Sequence, residues 1–277
     1  MGGLYDMGAV NSSQTTPAPP VLIVVVGGID PSGGAGLLRD VATAAARGAR
    51  AHAVGTAWTE QDEGGRRHQV EPRDPAAVRD ALRWAIAALR PAAVKIGMAV
   101  GPATAAALVD GLAGYAGPVV VDPVLATSRG GPLWAAPPAE LLPLLRRATL
   151  VTPNAPEAAA LTGAGVATVA EAEAAGRVLV ATAGLQAVLV KGGHLPAEGD
   201  VATDVLVTAK TILRLAHAHV PGANPRGTGC ALATAIAIEL GRGRVLSAAT
   251  EAAAAWLAAE IRRYATESID LQRGAPR

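Results

Sequence analysis

Short runs of aliphatic and β-branched residues alternate along the chain with longer stretches whose apolar positions recur every three or four residues. The first pattern marks strands buried on both faces, and the second marks helices with one apolar stripe. The spacing predicts strands at residues 21–26, 51–57, 93–96, 119–122, 150–152 and 187–191. Helices fill most of the gaps. The clearest opens at Asp74-Pro75, a capping side chain followed by a proline tolerated in the first turn, and carries Val78, Leu82, Ile86 and Leu89 along one face. Toward the end, residues 201–207 and 211–220 predict an antiparallel pair added to the sheet, with helices following at about 230–240 and 246–264. This alternation predicts an α/β fold, a mostly parallel central sheet with helices on both faces.

Residues 1–20 hold Ser-Ser, Thr-Thr and the stretch from Pro17 to Pro20, and residues 266–277 are polar and end in Gly-Ala-Pro-Arg, so both read as tails around a single domain at 21–265. Neither end has the form of a signal peptide. The run at 21–26 is far short of the roughly 20 residues needed to cross a bilayer, so no membrane partner is expected. With 51% of 277 residues hydrophobic and 17% charged, bulk disorder is excluded. Lys plus Arg number 24 against 23 for Asp plus Glu, which leaves no basic excess for nucleic acid. The single cysteine, Cys230, excludes an internal disulfide and a four-cysteine zinc site, and fits the reducing cytoplasm. Residues this chain uses rarely carry extra weight inside a motif, and Lys191, Met98, Asn154 and Cys230 are such residues.

Chemistry concentrates at strand ends. Asn224-Pro-Arg-Gly-Thr-Gly-Cys230 opens an apolar helix, so the backbone N–H groups around Gly227, Thr228 and Gly229 converge at a helix N-terminus and form an anion hole for a phosphoryl group. The same position is expected to lower the Cys230 thiol pKa and make it a proton acceptor. A second glycine-rich turn, Gly27-Gly-Ile-Asp-Pro-Ser-Gly-Gly-Ala-Gly36, follows the first strand and precedes Asp40. It lacks the Gly-Lys-Ser/Thr ending of a Walker loop and the distal acidic residue of a dinucleotide fingerprint, which disfavours both classes. Gly97-Met98, Asp122-Pro-Val124, Thr152-Pro-Asn154, Glu157 and Lys191-Gly-Gly-His194 lie where open parallel sheets bind ligands. Asp122 and Glu157 are hard oxygen donors suited to Mg²⁺, and Lys191 is suited to a nucleotide phosphate.

Taken in order, Gly-Ile-Asp-Pro-Ser-Gly-Gly-Ala-Gly with Asp40, Val-Lys-Ile-Gly-Met98, Val-Asp-Pro-Val124, Thr-Pro-Asn-Ala-Pro-Glu157, Val-Lys-Gly-Gly-His194 and Gly-Thr-Gly-Cys230 resemble the hydroxymethylpyrimidine/phosphomethylpyrimidine kinases of thiamine synthesis, within the ribokinase-like superfamily. The resemblance spans about residues 21–264 and implies a three-layer α/β/α fold, ATP and Mg²⁺ as cofactors, a small pyrimidine alcohol as substrate and a homodimer. It implies that Gly28, Ala35, Asp40, Gln61, Met98 and Val124 surround the pyrimidine, with Asp40 and Gln61 as polar contacts. It places Cys230 as catalytic base, residues 227–229 in the anion hole, Asn154, Lys191 and Thr228 at ATP, and Asp122 and Glu157 near the metal.

Several positions depart from that pattern. Gln61 is followed by Asp62-Glu-Gly-Gly-Arg-Arg67 where the family has Asn-Thr and a short flap. Arg226 replaces the usual His, Val41-Ala42-Thr43 stands where a Lys is usual, and residues 126–132 carry one residue more. These changes spare the phosphoryl-transfer parts and bear on the second phosphorylation and the ligand. A pyridoxal or pyridoxine kinase, and a relative that binds without turnover, are the competing readings. His217 and His219 share one strand face without a third metal ligand and read as plain surface. Trp58 suits either the core or stacking on a ring.

Overall fold

The computed structural model describes residues 19–61, 68–127, 131–197, 201–220 and 225–274. The sheet is built from β1 (Leu22–Ile29), β2 (Arg50–Gln61), β3 (His68–Pro72), β4 (Ala93–Ile96), β5 (Val119–Val121), β6 (Leu150–Val151), β7 (Ala187–Val190), β8 (Val201–Thr208) and β9 (Ile212–Ala218). The strands lie in the order β3-β2-β1-β4-β5-β6-β7-β8-β9. Those from β2 to β7 run parallel, and β3, β8 and β9 add antiparallel edges. The helices are α1 (Gly36–Ala46), α2 (Pro75–Leu89), α3 (Pro102–Gly111), α4 (Leu142–Leu145), α5 (Ala155–Thr162), α6 (Val169–Ala181), α7 (Thr228–Gly241) and α8 (Leu246–Gly274).

Strand alternation explains the three layers. In β1, Val24 and Val26 enter one core with side chains of α2, α3, α4, α5 and α6, while Ile23 and Val25 enter the opposite core with α1, α7 and α8. The same split recurs in β5, where Val119 and Val121 oppose Val120, and in β7, where Val188 and Val190 oppose Leu189. A residue in such a strand is covered whichever way it points, which is why these runs are continuously apolar. Asp74 caps α2 by accepting from the N–H groups of Ala76 and Ala77, with Pro75 in the first turn.

The largest departures from the expected boundaries are at the C-terminus and after β2. The chain does not become a tail at 266: α8 continues to Gly274, because a polar stretch free of proline and glycine extends a helix already nucleated by its packed first turns. β2 runs on to Gln61 and turns back as β3, a strand the pattern did not show, with Trp58 opposite Glu71 and Thr59 opposite Val70. Residues 19 and 20 are exposed coil, and the rest of the expected N-terminal tail lies outside the described residues. Among the described residues no helix is long and apolar enough to cross a membrane.

Candidate active site

The carboxyl ends of β1, β4, β5, β6 and β7 all open on one edge of the sheet, and the N-terminus of α7 meets them there. Gly227 precedes α7 with φ +73°, and a Cβ on it would stand 2.3 Å from the carbonyl oxygen of Gly34. The two glycine-rich turns therefore pack backbone against backbone, which only glycine at 227 permits. Arg226 ties them further. Its guanidinium donates to Asp30 Oδ2 at 3.0 Å and to Ser32 Oγ at 3.2 Å, so Arg226 clamps the first turn to the second.

Cys230 lies in the first turn of α7. The Gly36 N–H donates to its sulfur, so the thiol sits between the two turns. Its pKa is pushed up from the ordinary value by burial, with Lys95 and the Gly36 N–H acting downward and Asp40 and Asp122 acting upward. The expected lowering by the helix N-terminus is thus overturned, because desolvation of the thiolate outweighs the favourable charges.

Asp40 is not at a ligand surface. It is fully buried, its Oδ2 lies 2.7 Å from Lys95 Nζ, and its Oδ1 accepts from Thr234 Oγ1 at 2.8 Å. Both oxygens are taken by the protein, so Asp40 joins α1, β4 and α7 rather than meeting the pyrimidine as expected. Burial raises the Asp40 pKa against the lowering by Lys95. For Lys95 burial acts downward, but Asp40, Cys230 and Asp122 reverse it and the net shift is upward. Within the pair, attraction between the partners opposes the desolvation of each.

An apolar wall stands beside this network. Met98 packs with Ala57 and Leu133, bordered by Val70, Val100 and Val124. A Cβ added to Gly28 would come within 3.0 Å of Met98 Sδ, and the Met98 carbonyl accepts from Thr56 Oγ1 at 2.8 Å, which fixes the wall from behind. Gly28, Met98 and Val124 are thus brought to one wall, while Ala35 lies against Gly227 ahead of α7. Gln61 ends β2, and its side chain and the segment 62–67 lie outside the described residues. Trp58 is 48% exposed and lines an open cavity of ≈ 340 Å³ with Ile29 and Pro72, so it belongs to neither the core nor the wall.

On the other side, Lys191 Nζ lies 2.6 Å from Asp122 Oδ1 and 3.9 Å from Glu157 Oε2. Thr152 Oγ1 adds a bond to Asp122 Oδ1 at 3.2 Å. A Cβ on Gly229 would lie 3.0 Å from Lys191 Nζ and 3.5 Å from Asp122 Oδ2, so α7 begins directly against this cluster. Asn154 and Glu157 form a capping box for α5: the Glu157 N–H donates to Asn154 Oδ1, and the Asn154 N–H donates to Glu157 Oε2, each at 2.8 Å. Burial pushes the Glu157 pKa up to about 7, with Asp122 adding to the rise and Lys191 opposing it. Two carboxylates thus share one ammonium, and Asp122 and Glu157 are hard oxygen donors of the kind a divalent cation takes. Among the described residues no group of three or more His, Cys, Asp or Glu side chains is assembled as a metal cage. His194 occupies the turn after Lys191, and burial and Lys191 together lower its pKa.

Sequence reasoning assigns no role to Lys95, Thr234, Thr56 or Ala57, although Lys95 stands inside the Val-Lys-Ile-Gly-Met98 motif. A lysine inside a strand of a lysine-poor chain was the available signal for the first. The Asn-x-x-Glu spacing at 154–157 was the available signal for the capping box.

The family model for phosphomethylpyrimidine kinase matches residues 30–275. The chain is 39% identical over 255 residues to a hydroxymethylpyrimidine/phosphomethylpyrimidine kinase of Rhizobium meliloti (strain 1021), covering 90% of this chain and 92% of that one. The crystal structure of phosphomethylpyrimidine kinase from Clostridium difficile 630 superposes with a TM-score of 0.71 at 29% identity, over 90% of this chain and 99% of that one. Pyridoxal kinase from Staphylococcus aureus, in complex with AMP-PCP and pyridoxal, superposes with a TM-score of 0.75 at 26% identity, over 86% and 87% of the two chains.

Proposed function

The chain belongs to the phosphomethylpyrimidine kinase family, and from that premise we propose that it transfers the γ-phosphoryl group of ATP to 4-amino-5-hydroxymethyl-2-methylpyrimidine and then to the resulting monophosphate, in thiamine biosynthesis. The observation that carries the reading is the meeting, at the start of α7, of a thiol and a glycine turn with an apolar wall on one side and a Lys191–Asp122–Glu157 cluster on the other. A hydroxymethyl group held against Met98 and Val124 would face Cys230, with nucleotide phosphate arriving from the Lys191 side.

The protein's work is positioning and charge stabilisation. Cys230 acts as the base in its thiolate form, so its own proton must leave to solvent before the alcohol's proton arrives. The burial that makes this thiolate scarce at rest also makes it a strong proton acceptor once formed. The backbone N–H groups at residues 227–230 and the α7 N-terminus stabilise the charge that develops on the phosphoryl oxygens. Lys191 and Asn154 serve the nucleotide side. Asp122 and Glu157 would hold Mg²⁺, which supplies neutralisation of phosphate charge. Asp40 acts behind the site by holding Lys95 and α7. The same reading includes a homodimer, to be measured by light scattering, and a cytoplasmic enzyme with access to ATP.

Pyridoxal phosphorylation is the second reading, favoured by the superposition on the S. aureus pyridoxal kinase. Mass spectrometry of products from Mg-ATP with the hydroxymethylpyrimidine, and with pyridoxal in parallel, separates them. A pyrimidine diphosphate supports the full proposal. A monophosphate alone removes the second step, pyridoxal phosphate alone supports the second reading, and no product in either tube sinks both.

A further inference from the structure

Behind the Lys191 turn, β8 carries a carboxylate that the reaction itself does not use. Asp204 is buried, and it shares its sheet face with the apolar Ala202 and Leu206. An apolar residue would serve packing there, since a buried carboxylate is costly unless its oxygens are bonded. Its Oδ1 accepts the Gly192 N–H at 2.6 Å, and His217 Nε2 on β9 lies 3.3 Å from the same oxygen. Gly192 has no room for a side chain, because a Cβ would stand 2.0 Å from the carbonyl oxygen of Thr203. β8 is therefore pressed directly against the turn.

The peptide that carries Lys191 is gripped from two sides. Its own N–H donates to the Pro153 carbonyl at 2.8 Å, and Asn154 pairs with it in parallel, while Asp204 holds the next N–H. Between these anchors the Lys191 ammonium leaves the sheet edge toward Asp122 and Gly229. We propose that Asp204 is a positioning residue for nucleotide binding: through the Gly192 N–H it sets the direction in which Lys191 projects, and His217 orients the Asp204 carboxylate. The inference rests on the reading that Lys191 meets nucleotide phosphate.

The test is calorimetric titration of the full chain with AMP-PCP and Mg²⁺, a measurement independent of which alcohol is phosphorylated. Asp204→Ala leaves the Gly192 N–H without its acceptor and is expected to raise the dissociation constant about tenfold or more, with the KM for ATP rising in step and the KM for the alcohol unchanged. Asp204→Asn keeps an acceptor and stays within about twofold of the parent. His217→Ala, at a half-buried strand position, is expected to weaken binding about two- to fivefold. A purely architectural role would lower stability and leave the affinity of the folded protein unchanged. Parent-like affinity in Asp204→Ala overturns the inference, and if that variant does not fold, parent-like affinity in His217→Ala overturns it. A parent that binds no AMP-PCP overturns the nucleotide reading and the inference with it, whereas a parent that binds beside unaffected variants overturns the inference alone.

Discussion

Lys95 Nζ lies 2.7 Å from Asp40 Oδ2 with both side chains shut away from solvent, and the second Asp40 oxygen is bonded to Thr234 on α7. The pair links the helix after the first glycine turn, the strand that leads to Met98 and the helix that begins at the second glycine turn. The relative position of pocket wall and thiol is thereby set from below. Burying two charges costs free energy that their attraction roughly offsets, whereas losing one partner strands the other.

Lys95→Met is accordingly expected to destabilise the fold by about 3–5 kcal/mol. Asp40→Leu should cost a similar amount, and the double variant less than the sum of the two. Urea unfolding of the four proteins gives the coupling directly. Additive losses would mean that the two charges do not depend on each other.

Cys230→Ala removes the proposed proton acceptor and leaves in place the backbone of the glycine turn proposed as the anion hole. Turnover is expected to fall about 10²–10⁴-fold, with AMP-PCP affinity within a factor of two of the parent. Pre-steady-state phosphoryl transfer measures the chemical step without product release. An undiminished rate would remove Cys230 from the chemistry.

How much of this was legible in the sequence depends on where each interaction is encoded. β1, β4, β5 and β7 were visible because burial on both faces demands unbroken apolar runs. β3 was not, since His68–Pro72 is polar and acquires its strand identity only by pairing with β2. The convergence of Met98, Asp122, Asn154 and Lys191 followed from their place at strand ends, a property of parallel sheets in general. The role of Asp40 did not, because its partners Lys95 and Thr234 lie 55 and 194 residues away and no local pattern announces a tertiary ion pair. His217 shows the same limit. It read as plain surface and proves to be bonded to Asp204, a partner on a neighbouring strand that only the register reveals.

Arg226 clamps the first glycine turn through Asp30 and Ser32, contacts that are partly exposed. Such contacts contribute about 0–1 kcal/mol to stability, so Arg226→Ala is expected to leave the melting temperature within a few degrees. Its effect should appear in the KM for the pyrimidine, because Gly28 and Ala35 flank the turn that it holds. Steady-state kinetics with ATP saturating reads this. A fall in melting temperature with an unchanged KM would make the clamp architectural.

The hydrogen bond to Asp204 raises the His217 pKa above the ordinary 6.5 despite partial burial. A group whose pKa is raised by folding contributes stability that is fully present below the unfolded value and lost as pH rises through the folded value. The His217–Asp204 bond should therefore be strongest below about pH 6.5 and weaken as pH rises above that value, by about 1 kcal/mol, the difference between a charge-assisted and a neutral hydrogen bond. In a chain of this size that corresponds to about 2–4 °C in melting temperature. Since other groups titrate over the same range, the informative quantity is the difference between the parent and His217→Gln, which keeps a donor and loses the titration. That difference is expected to shrink as pH is raised from 6 to 8, and a constant gap across the range would show that the imidazole does not gain its proton preferentially in the folded state.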